Sequence, residues 1–237
     1  MANALQEVMD KLQELGTEQT KNTFMRHGAR EPLFGVKVGD LKKLVKAVRK
    51  DQQLARDLFD TGNSDAMYLA GLTVDPASAT KEMLRHWARS ANWYMLAEYT
   101  VAGVAAESPF AVELAREWMA SPDEFVACCG WSTYANYISV TPDERLDLEE
   151  LSRLLRQVER TIHEERNRVR YTMNVFVIVV GTSVRSLHGA AAAVAEAIGN
   201  VRVDVGRTAC KVPLASDSIR LAEAKGTIGK KKKTCIC

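Results

Sequence analysis

One short segment decides the fold class, and it reads Val38-Gly-Asp-Leu-Lys-Lys-Leu-Val-Lys-Ala-Val-Arg-Lys50. Its apolar residues recur at the three- and four-residue intervals of a single helix face, and they are Val38, Leu41, Leu44, Val45 and Val48. The other side of the segment is rich in lysine and arginine. This pattern predicts an amphipathic helix whose apolar face packs against a neighbouring element.

The same periodicity continues on both sides of this segment through most of the 237 residues, and strand signals are nearly absent. Glycines and prolines break it at short intervals, as at Ser121-Pro122 and Thr141-Pro142. Ser121, Thr141 and Asn63 can each cap a following helix, because their side-chain oxygens accept hydrogen bonds from first-turn amides. The pattern predicts about a dozen helices of roughly 10–20 residues, joined by short turns.

Successive amphipathic helices can stack pairwise, each pair burying its face against the next. We therefore predict an all-α fold of HEAT-like helical repeats stacked into a curved α-solenoid, an α-α superhelix. A single domain is expected over residues 1–226, because no linker long enough to separate two domains interrupts the pattern. Residues 227–237 include four consecutive lysines and are expected to form a flexible basic tail.

The helix expected at about Asn167 to Gly181 is apolar on nearly every side after Tyr171. We predict that it is the most buried helix of the fold. Asn174 within it then needs an internal hydrogen-bond partner, because buried polar groups are normally satisfied.

The net charge of +2 conceals an uneven charge distribution. Residues 37–50 carry a net charge of +5 and residues 153–237 carry +9, whereas residues 51–152 carry −11. The composition, with 46% hydrophobic and 26% charged residues, excludes a disordered chain, a collagen and a coiled-coil rod. It does not exclude a nucleic-acid binder, because two strongly basic blocks can lie on one surface.

The end of the sequence, Lys230-Lys-Lys-Lys-Thr-Cys-Ile-Cys237, superficially resembles a lipidated basic tail, and a frayed basic terminus is the more common case. The rest of the sequence indicates neither export nor membrane insertion. The N-terminus lacks the basic and then apolar pattern of a secretory signal, and the longest apolar run, Val175 to Val180, is far shorter than the roughly 20 residues of a membrane helix. Five cysteines are an odd number for a disulfide scaffold and are expected to be reduced thiols. We therefore expect a cytoplasmic, monomeric protein without a membrane partner.

The residue types of metal and nucleophilic catalysis are present but poorly placed. The four histidines are scattered, without an i,i+4 pair that could hold a metal ion from one helix face. Cys128 and Cys129 are adjacent, so on a helix they point about 100° apart and make a poor chelating pair. The sequence therefore predicts no metal, no cofactor and no covalent nucleophile.

Two positively charged segments are candidates for contact with a DNA backbone. Six arginines lie between Arg153 and Arg170, and a concave solenoid wall could align them with the lysines of the 38–50 segment. The alternative is that these are solvated helix faces with intrahelical ion pairs, such as Arg160 with Glu164. Both interpretations stay open. The candidate backbone-binding residues are Lys42, Lys43, Lys46, Arg166, Arg168 and Arg170.

The densest aromatic segment is Asn92-Trp-Tyr-Met-Leu-Ala-Glu-Tyr99, and Trp131, Tyr134 and Tyr137 follow on a later helix. Such aromatic residues can stack on an exposed base. They can equally be core residues, since Trp131, Tyr134 and Ile138 have the i, i+3, i+7 spacing of one helix face. For any single residue, core packing is the more common role.

Three short motifs resemble a known family. Phe34-Gly-Val-Lys-Val-Gly-Asp-Leu-Lys-Lys-Leu-Val45, together with Leu58-Phe-Asp-Thr-Gly62 and Ala66-Met-Tyr-Leu-Ala-Gly71, is similar to the DNA alkylation repair family of AlkD-like proteins. The resemblance implies a HEAT-like superhelix whose concave basic face holds duplex DNA. Active members of the family are glycosylases that excise N3- and N7-alkylpurines. In them an aspartate supports the developing positive charge, tryptophans pack around the lesion and an arginine grips the backbone.

The family pattern fits this sequence only in part. Trp93 matches the family's tryptophan, but the aspartate expected four residues later falls on Ala97, and Glu98 beside it is rotated by about 100°. The family's arginine cluster falls near residues 126–130, which carry no charge, and Tyr171 stands where a second pocket tryptophan is expected. The resemblance then implies Glu98 as the catalytic acid, with Trp93 and Tyr94 lining the lesion site.

Two hypotheses follow from the sequence. The first is a DNA-binding HEAT-like member of this family, with a divergent active site that would serve an alkylpurine glycosylase. The second is a non-enzymatic helical-repeat scaffold that binds a protein or a structured nucleic acid, since solenoids commonly bind partners on their concave face.

Overall fold

The computed structural model describes residues 2–206 and 208–236, and within them the chain forms thirteen α-helices and no strand. The all-α prediction is therefore confirmed. A π-helical turn, called here the π segment (Leu96–Val101), precedes α7. The helices are α1 (Ala2–Leu15), α2 (Glu18–Arg26), α3 (Val38–Val48), α4 (Gln52–Asp60), α5 (Ser64–Thr73), α6 (Lys81–Ser90), α7 (Ala102–Glu107), α8 (Ala111–Met119), α9 (Glu124–Val140), α10 (Leu148–Thr161), α11 (Asn167–Ser183), α12 (His188–Ile198) and α13 (Ala215–Ala224).

The helices stack in two layers. The inner layer runs from α5 through the π segment and α7 to α9 and α11, each contacting the next. The outer layer consists of α4, α6, α8, α10 and α12, and each of its members packs on the inner layer. Trp131 and Tyr134 of α9 are buried between the layers, so they are core residues.

The inner layer holds the most buried helices. Every residue of α5 is buried, whereas α11 keeps several partly exposed positions, so the prediction that α11 is the most buried helix is wrong. The partly exposed positions of α11 include Asn167, Arg168, Arg170 and Tyr171 in its first turns, whereas α5 is covered along its whole length by neighbours that include α3, α4 and the π segment. Asn174 of α11 is fully buried, and its side-chain amide donates to the carbonyl of Pro213 at 2.9 Å.

Polar side chains fix where several helices begin. Asn63 caps α5 as predicted, since its side chain accepts from the amides of Asp65 and Ala66 at 3.0 and 3.2 Å. The predicted caps Ser121 and Thr141 are wrong, because α9 begins after Asp123 and α10 after Asp147. Aspartates placed further along the chain take the capping role, and Ser121 instead accepts a hydrogen bond within the preceding turn.

The Phe34-Gly-Val36 motif is tied to α5 by one buried carboxylate. Asp65 accepts the backbone amides of Phe34, Gly35 and Val36 at 2.6, 2.9 and 2.9 Å. Gly35 has φ +81°, and a Cβ atom there would lie 2.4 Å from the backbone nitrogen of Lys21. The motif is therefore a structural joint between the N-terminal helices and the inner layer.

The C-terminal residues lie on the helical body, where the sequence predicted a flexible tail. The amide of Gly229 donates to Thr182 at 2.8 Å, and the amide of Lys232 donates to Ser139 at 2.8 Å. Lys231 forms an ion pair with Asp143 at 2.8 Å. The charge of this segment did not reveal these partners, because they come from helix ends distant in sequence.

No single helix among the described residues is both long and apolar enough to cross a membrane. Only α11 taken together with residues 185–198 meets that test, and these two parts are bent by 113°.

Candidate nucleic-acid interface

A cleft of about 260 Å³ opens where the N-terminal ends of α9 and α11 meet the turn after α6. The end of α2 and residues 204–206, from the loop between α12 and α13, complete its walls. The lining includes Met25, His27, Trp93, Phe125, Asn167 and Asp204. This cleft is where the structure brings several of the predicted site residues together.

Trp93 forms one wall of the cleft but belongs largely to the core. Only 4% of it is exposed, and its indole N–H donates to the carbonyl of His27 at 2.9 Å. Its ring centroid lies 5.3 Å from that of Phe24 and 5.7 Å from that of Tyr94. Trp93 is thus held in one orientation by α2 and the turn that follows it.

Glu98 forms a bidentate ion pair with Arg168. Nη2 of Arg168 donates to Oε2 of Glu98 at 2.8 Å, and Nε donates to Oε1. The side chain of Glu98 is 6% exposed and that of Arg168 is 15% exposed. Burial raises the pKa of Glu98, and the hydrogen bonds and charge of Arg168 oppose this increase. Arg168 lines the cleft, and Glu98 lies beneath it.

Two tyrosines enclose the guanidinium of Arg168. It lies 4.2 Å from the ring centroid of Tyr94 and 4.0 Å from that of Tyr171, distances at which a cation and an aromatic face attract each other. The backbone amide of Arg168 donates to Glu124 of α9 at 2.6 Å. The predicted residues Tyr94 and Glu98 therefore meet, but they meet around an arginine that is already neutralised.

The positions that depart from the family pattern are core positions. Ala97 is fully buried in the π segment, and Cys128 and Cys129 are fully buried in α9. At Gly130 a Cβ atom would lie 2.4 Å from the backbone nitrogen of Met119, so α8 and α9 are in very close contact. A charged cluster would not fit there, and the arginines that line the cleft are Arg168 of α11 and Arg26 of α2.

The described part of the loop between α12 and α13, residues 199–206 and 208–214, borders the cleft through Asp204, Val205 and Gly206. Asn167 at the start of α11 holds it, donating to the carbonyl of Asp204 at 2.8 Å and accepting the amide of Asp204 at 2.7 Å. Sγ of Cys210 in this loop lies 4.0 Å from Nδ1 of His27. No role was predicted for this loop, whose charged residues are scattered between two helices and form no recognisable motif.

A second cleft of about 520 Å³ adjoins the first, and the two share Asn167 and Asp204. It is lined by Arg170 of α11 and by loop residues that include Arg202 and Lys211. Arg26 of the first cleft, Arg202 and Lys211 are exposed and Arg170 is half-buried, so the surface around the loop carries several cationic side chains.

The other predicted backbone-binding residues lie apart from this surface or have structural partners. Arg166 donates to the carbonyls of Ser121 and Pro122 at 2.9 and 2.7 Å and so joins α11 to the turn before α9. Lys42, Lys43 and Lys46 are exposed on α3, which packs on α1, α4 and α5. Lys43 pairs with Asp40 at 2.6 Å. A DNA contact by the α3 lysines stays a prediction.

Within the described residues, no group of three or more His, Cys, Asp or Glu side chains is arranged to hold a metal ion. The side chains that line the cleft include cations, aromatic rings, an amide and the carboxylates of Glu124 and Asp204, together with Met25 and His27.

Comparison with known proteins agrees with this geometry. Residues 8–197 match the family model described as "DNA alkylation repair enzyme". The chain is 34% identical over 218 residues to the uncharacterized proteins Lin0241 of Listeria innocua and Lmo0209 of Listeria monocytogenes, covering 90% of this chain and 94% of each relative.

A solved structure is also similar, with a TM-score of 0.90 and 36% identity, over 98% of this chain and 99% of that one. It is described as "a new family of proteins related to the HEAT-like repeat DNA glycosylases with affinity for branched DNA structures". The chain folds as a HEAT-like superhelix and belongs to the DNA alkylation repair family.

Proposed function

We propose that this protein binds branched DNA through the cationic surface around its cleft and does not excise alkylated bases. The affinity for branched DNA described for the similar structure, over nearly the whole chain, supports the first part. The Glu98–Arg168 ion pair supports the second part and is the observation that carries the proposal.

The binding surface consists of the two adjoining clefts and the loop between them. Arg26, Arg170, Arg202 and Lys211 supply cationic side chains that suit phosphate oxygens. Asp204 is the acid shared by the two clefts, and its carboxylate accepts the amide of Gly206 at 2.8 Å. The surface therefore offers donors at its rim, as expected of a protein that contacts the DNA backbone.

A branch point suits such a surface better than a straight duplex. Strands that exchange partners at a branch bring phosphates of different arms close together, so a compact cationic patch neutralises more charge there. The described part of the 199–214 loop borders both clefts and is held by Asn167, so Arg202 and Lys211 lie beside the opening of the first cleft.

Excision of an alkylpurine would need a carboxylate that can approach the sugar and stabilise positive charge in the transition state. Ala97 stands at the family position of that acid, and it is buried. Glu98 is already compensated by Arg168 and lies beneath it. The glycosylase alternative would require this ion pair to open.

A salt-titrated binding assay tests the proposal, using a four-way junction and a duplex of matched sequence. We expect tighter binding to the junction, with log affinity falling linearly with log salt. Arg202→Gln and Lys211→Gln should each reduce that slope by about one. Arg156→Gln, on outer-layer helix α10, is the matched control and should leave it unchanged. Equal affinity for both substrates would contradict the branched-DNA proposal, and no binding at low salt would favour a protein-binding scaffold.

Base release from DNA containing N7-methylguanine tests the absence of excision. We expect no release above a heat-killed control. Release that disappears in Glu98→Gln would instead restore the glycosylase hypothesis with Glu98 as its acid.

A further inference from the structure

Residues 227–236, called here the C-terminal strap, follow one edge of the superhelix from its last helices back toward its first half. The strap begins against Thr182 at the end of α11, and it passes Asp143 and the end of α9 at Ile138 and Ser139. It ends against α7, where a Cβ atom added to Gly103 would lie 3.4 Å from the carbonyl oxygen of Cys235. The strap thus joins helix ends that are separated along the stack.

Glu107, the last residue of α7, anchors the end of the strap. Its carboxylate accepts the hydroxyl of Thr234 at 2.5 Å, the amide of Cys235 at 2.7 Å and the thiol of Cys235 at 3.2 Å. Ile236 packs against the hydrophobic core beside this anchor. The end of the strap is therefore held by three hydrogen bonds to one carboxylate and by an apolar contact. This is a specific docking site and not an incidental surface contact.

The strap and the DNA-binding cleft lie at opposite ends of the same helices. Glu124 at the start of α9 lines the cleft, whereas Ser139 near its end receives the strap. At 1.5 Å per residue, this separates the two by about 22 Å. α11 has the same arrangement, with Arg168 at the cleft and Thr182 at the strap.

Repeats of a solenoid contact only their neighbours, so curvature is set by many small rotations between adjacent pairs. A segment that binds α7, α9 and α11 on one edge restricts those rotations together. We propose that the C-terminal strap is a clamp that fixes the curvature of the superhelix and so preorganises the cleft at the opposite edge for DNA. The DNA-binding part of this inference rests on the proposed function, and the clamp itself does not.

Thiol labelling tests the clamp without DNA. In a Cys210→Ser/Cys237→Ser background, Cys235 is the reactive thiol, because Cys128 and Cys129 are buried. Because burial and Glu107 both raise the pKa of the Cys235 thiol, labelling rates are compared per thiolate. On that basis, Glu107→Ala should speed maleimide labelling of Cys235 about ten-fold or more by releasing the anchor. Glu144→Ala, which removes an exposed acid from the turn next to Asp143, is the control and should label at the parent rate.

Hydrogen exchange then tests whether the strap acts on the distant edge. Removal of residues 227–237 should speed amide exchange at the cleft ends of α9 and α11 as well as at their strap ends. Faster exchange confined to the strap ends, or none at all, would show a local contact and would overturn the clamp.

DNA affinity tests the consequence of the clamp. The truncated chain should bind the four-way junction about five-fold or more weakly, in the range of typical coupling between distant sites, with an unchanged salt slope. A Lys230→Gln/Lys232→Gln/Lys233→Gln variant keeps the strap's backbone contacts and should bind like the parent chain.

A lower affinity and a smaller salt slope in the lysine variant would overturn the clamp, because the tail would then contact DNA directly. Unchanged affinity after truncation would also overturn it. If the intact protein binds no junction, the proposed function fails, while labelling and hydrogen exchange still decide the clamp.

Discussion

The carboxylate of Asp65 holds the turn at residues 34–36 against α5 and so connects the N-terminal helices to the inner layer. It accepts three successive backbone amides of the Phe34-Gly-Val36 turn, and those amides are partly or fully buried. Burial raises the pKa of Asp65, and the same amides oppose the increase. The side chain therefore serves the fold, although its motif resembles that of a DNA repair family.

We expect Asp65→Ala to lower the free energy of unfolding by about 3 kcal/mol, because a buried donor left without its partner costs about 1–3 kcal/mol. Urea unfolding measures this as a lower midpoint at an unchanged slope. Asp10→Ala, an exposed acid on α1, is the control and should shift the midpoint little. A midpoint for Asp65→Ala equal to the control's would show that water replaces the carboxylate.

Glu98 and Arg168 should behave as one unit. Removing either partner leaves a charge in a buried site, so we expect Glu98→Leu and Arg168→Leu each to cost about 3–5 kcal/mol. The double variant should lose clearly less free energy of unfolding than the sum of the two single losses. Thermal or urea unfolding of the parent, the two single variants and the double variant completes this double-mutant cycle. Additive costs would mean that the two side chains do not interact in solution.

For single residues, the sequence predicted which side chains lie near the cleft, but it did not predict the ion pair that one of them forms. Trp93, Tyr94 and Glu98 are neighbours in the chain, so their presence at one site followed from the motif. Arg168 is 70 residues from Glu98, and a π-helical turn carries the acid toward it. The spacing of apolar residues along a helix identifies neither Arg168 as the partner of Glu98 nor the π-helical turn. The ion pair could therefore not be predicted from the sequence.

At the scale of elements, one acid joins three helices of the outer and inner layers. Glu150 of α10 accepts Nε and Nη2 of Arg116 on α8 at 2.7 and 2.6 Å. It also accepts the hydroxyl of Tyr134 on α9 at 2.5 Å. Arg116 is the main cause of the lowered pKa of Glu150, with Tyr134 contributing in the same direction.

This lowered pKa predicts acid sensitivity. Because the folded-state pKa lies below the ordinary value of 4.5, Glu150 contributes stability above that pH and loses it as the pH falls through its folded-state pKa. Glu150→Gln should therefore lower stability near pH 6 and flatten its decline on acidification. Chemical unfolding from pH 6 to pH 3 measures this, with the exposed Glu149→Gln as the control. Parallel pH profiles for parent and Glu150→Gln would contradict the prediction.

Helices were predictable because the apolar period is a local property of the chain. α3 begins at Val38, where the apolar stripe begins, and most other helices follow their stripes. The starts of α9 and α10 were misplaced, since several Ser, Thr and Asp residues compete for each cap and packing selects among them. How completely its neighbours cover a helix is a tertiary property, and this is why α11 was ranked above α5 in burial.

At the scale of the whole molecule, the positive charge of residues 153–237 is divided among different surfaces. Arg168 is neutralised by the largely buried carboxylate of Glu98, and Arg166 joins the start of α11 to the turn before α9. The C-terminal lysines lie at the edge opposite the cleft, and Arg170, Arg202 and Lys211 remain beside it. A net charge per segment therefore indicates that a basic surface can exist, whereas its location depends on how the superhelix is folded.

The loop that borders both clefts should set the preference between DNA substrates. Asn167 fixes it by two hydrogen bonds to the backbone of Asp204, so Asn167→Ala should release the loop while leaving α11 intact. We expect the ratio of duplex to junction dissociation constants to fall about ten-fold toward one, because Arg202 and Lys211 would no longer be held beside Arg170.

Fluorescence anisotropy on both substrates measures this ratio, and Asn22→Ala, an exposed residue of α2, is the control. If the ratio is unchanged while both affinities fall together, the loop contributes charge but not selectivity. Selectivity would then arise from the curvature of the superhelix, and the truncation that removes the C-terminal strap should lower the ratio instead.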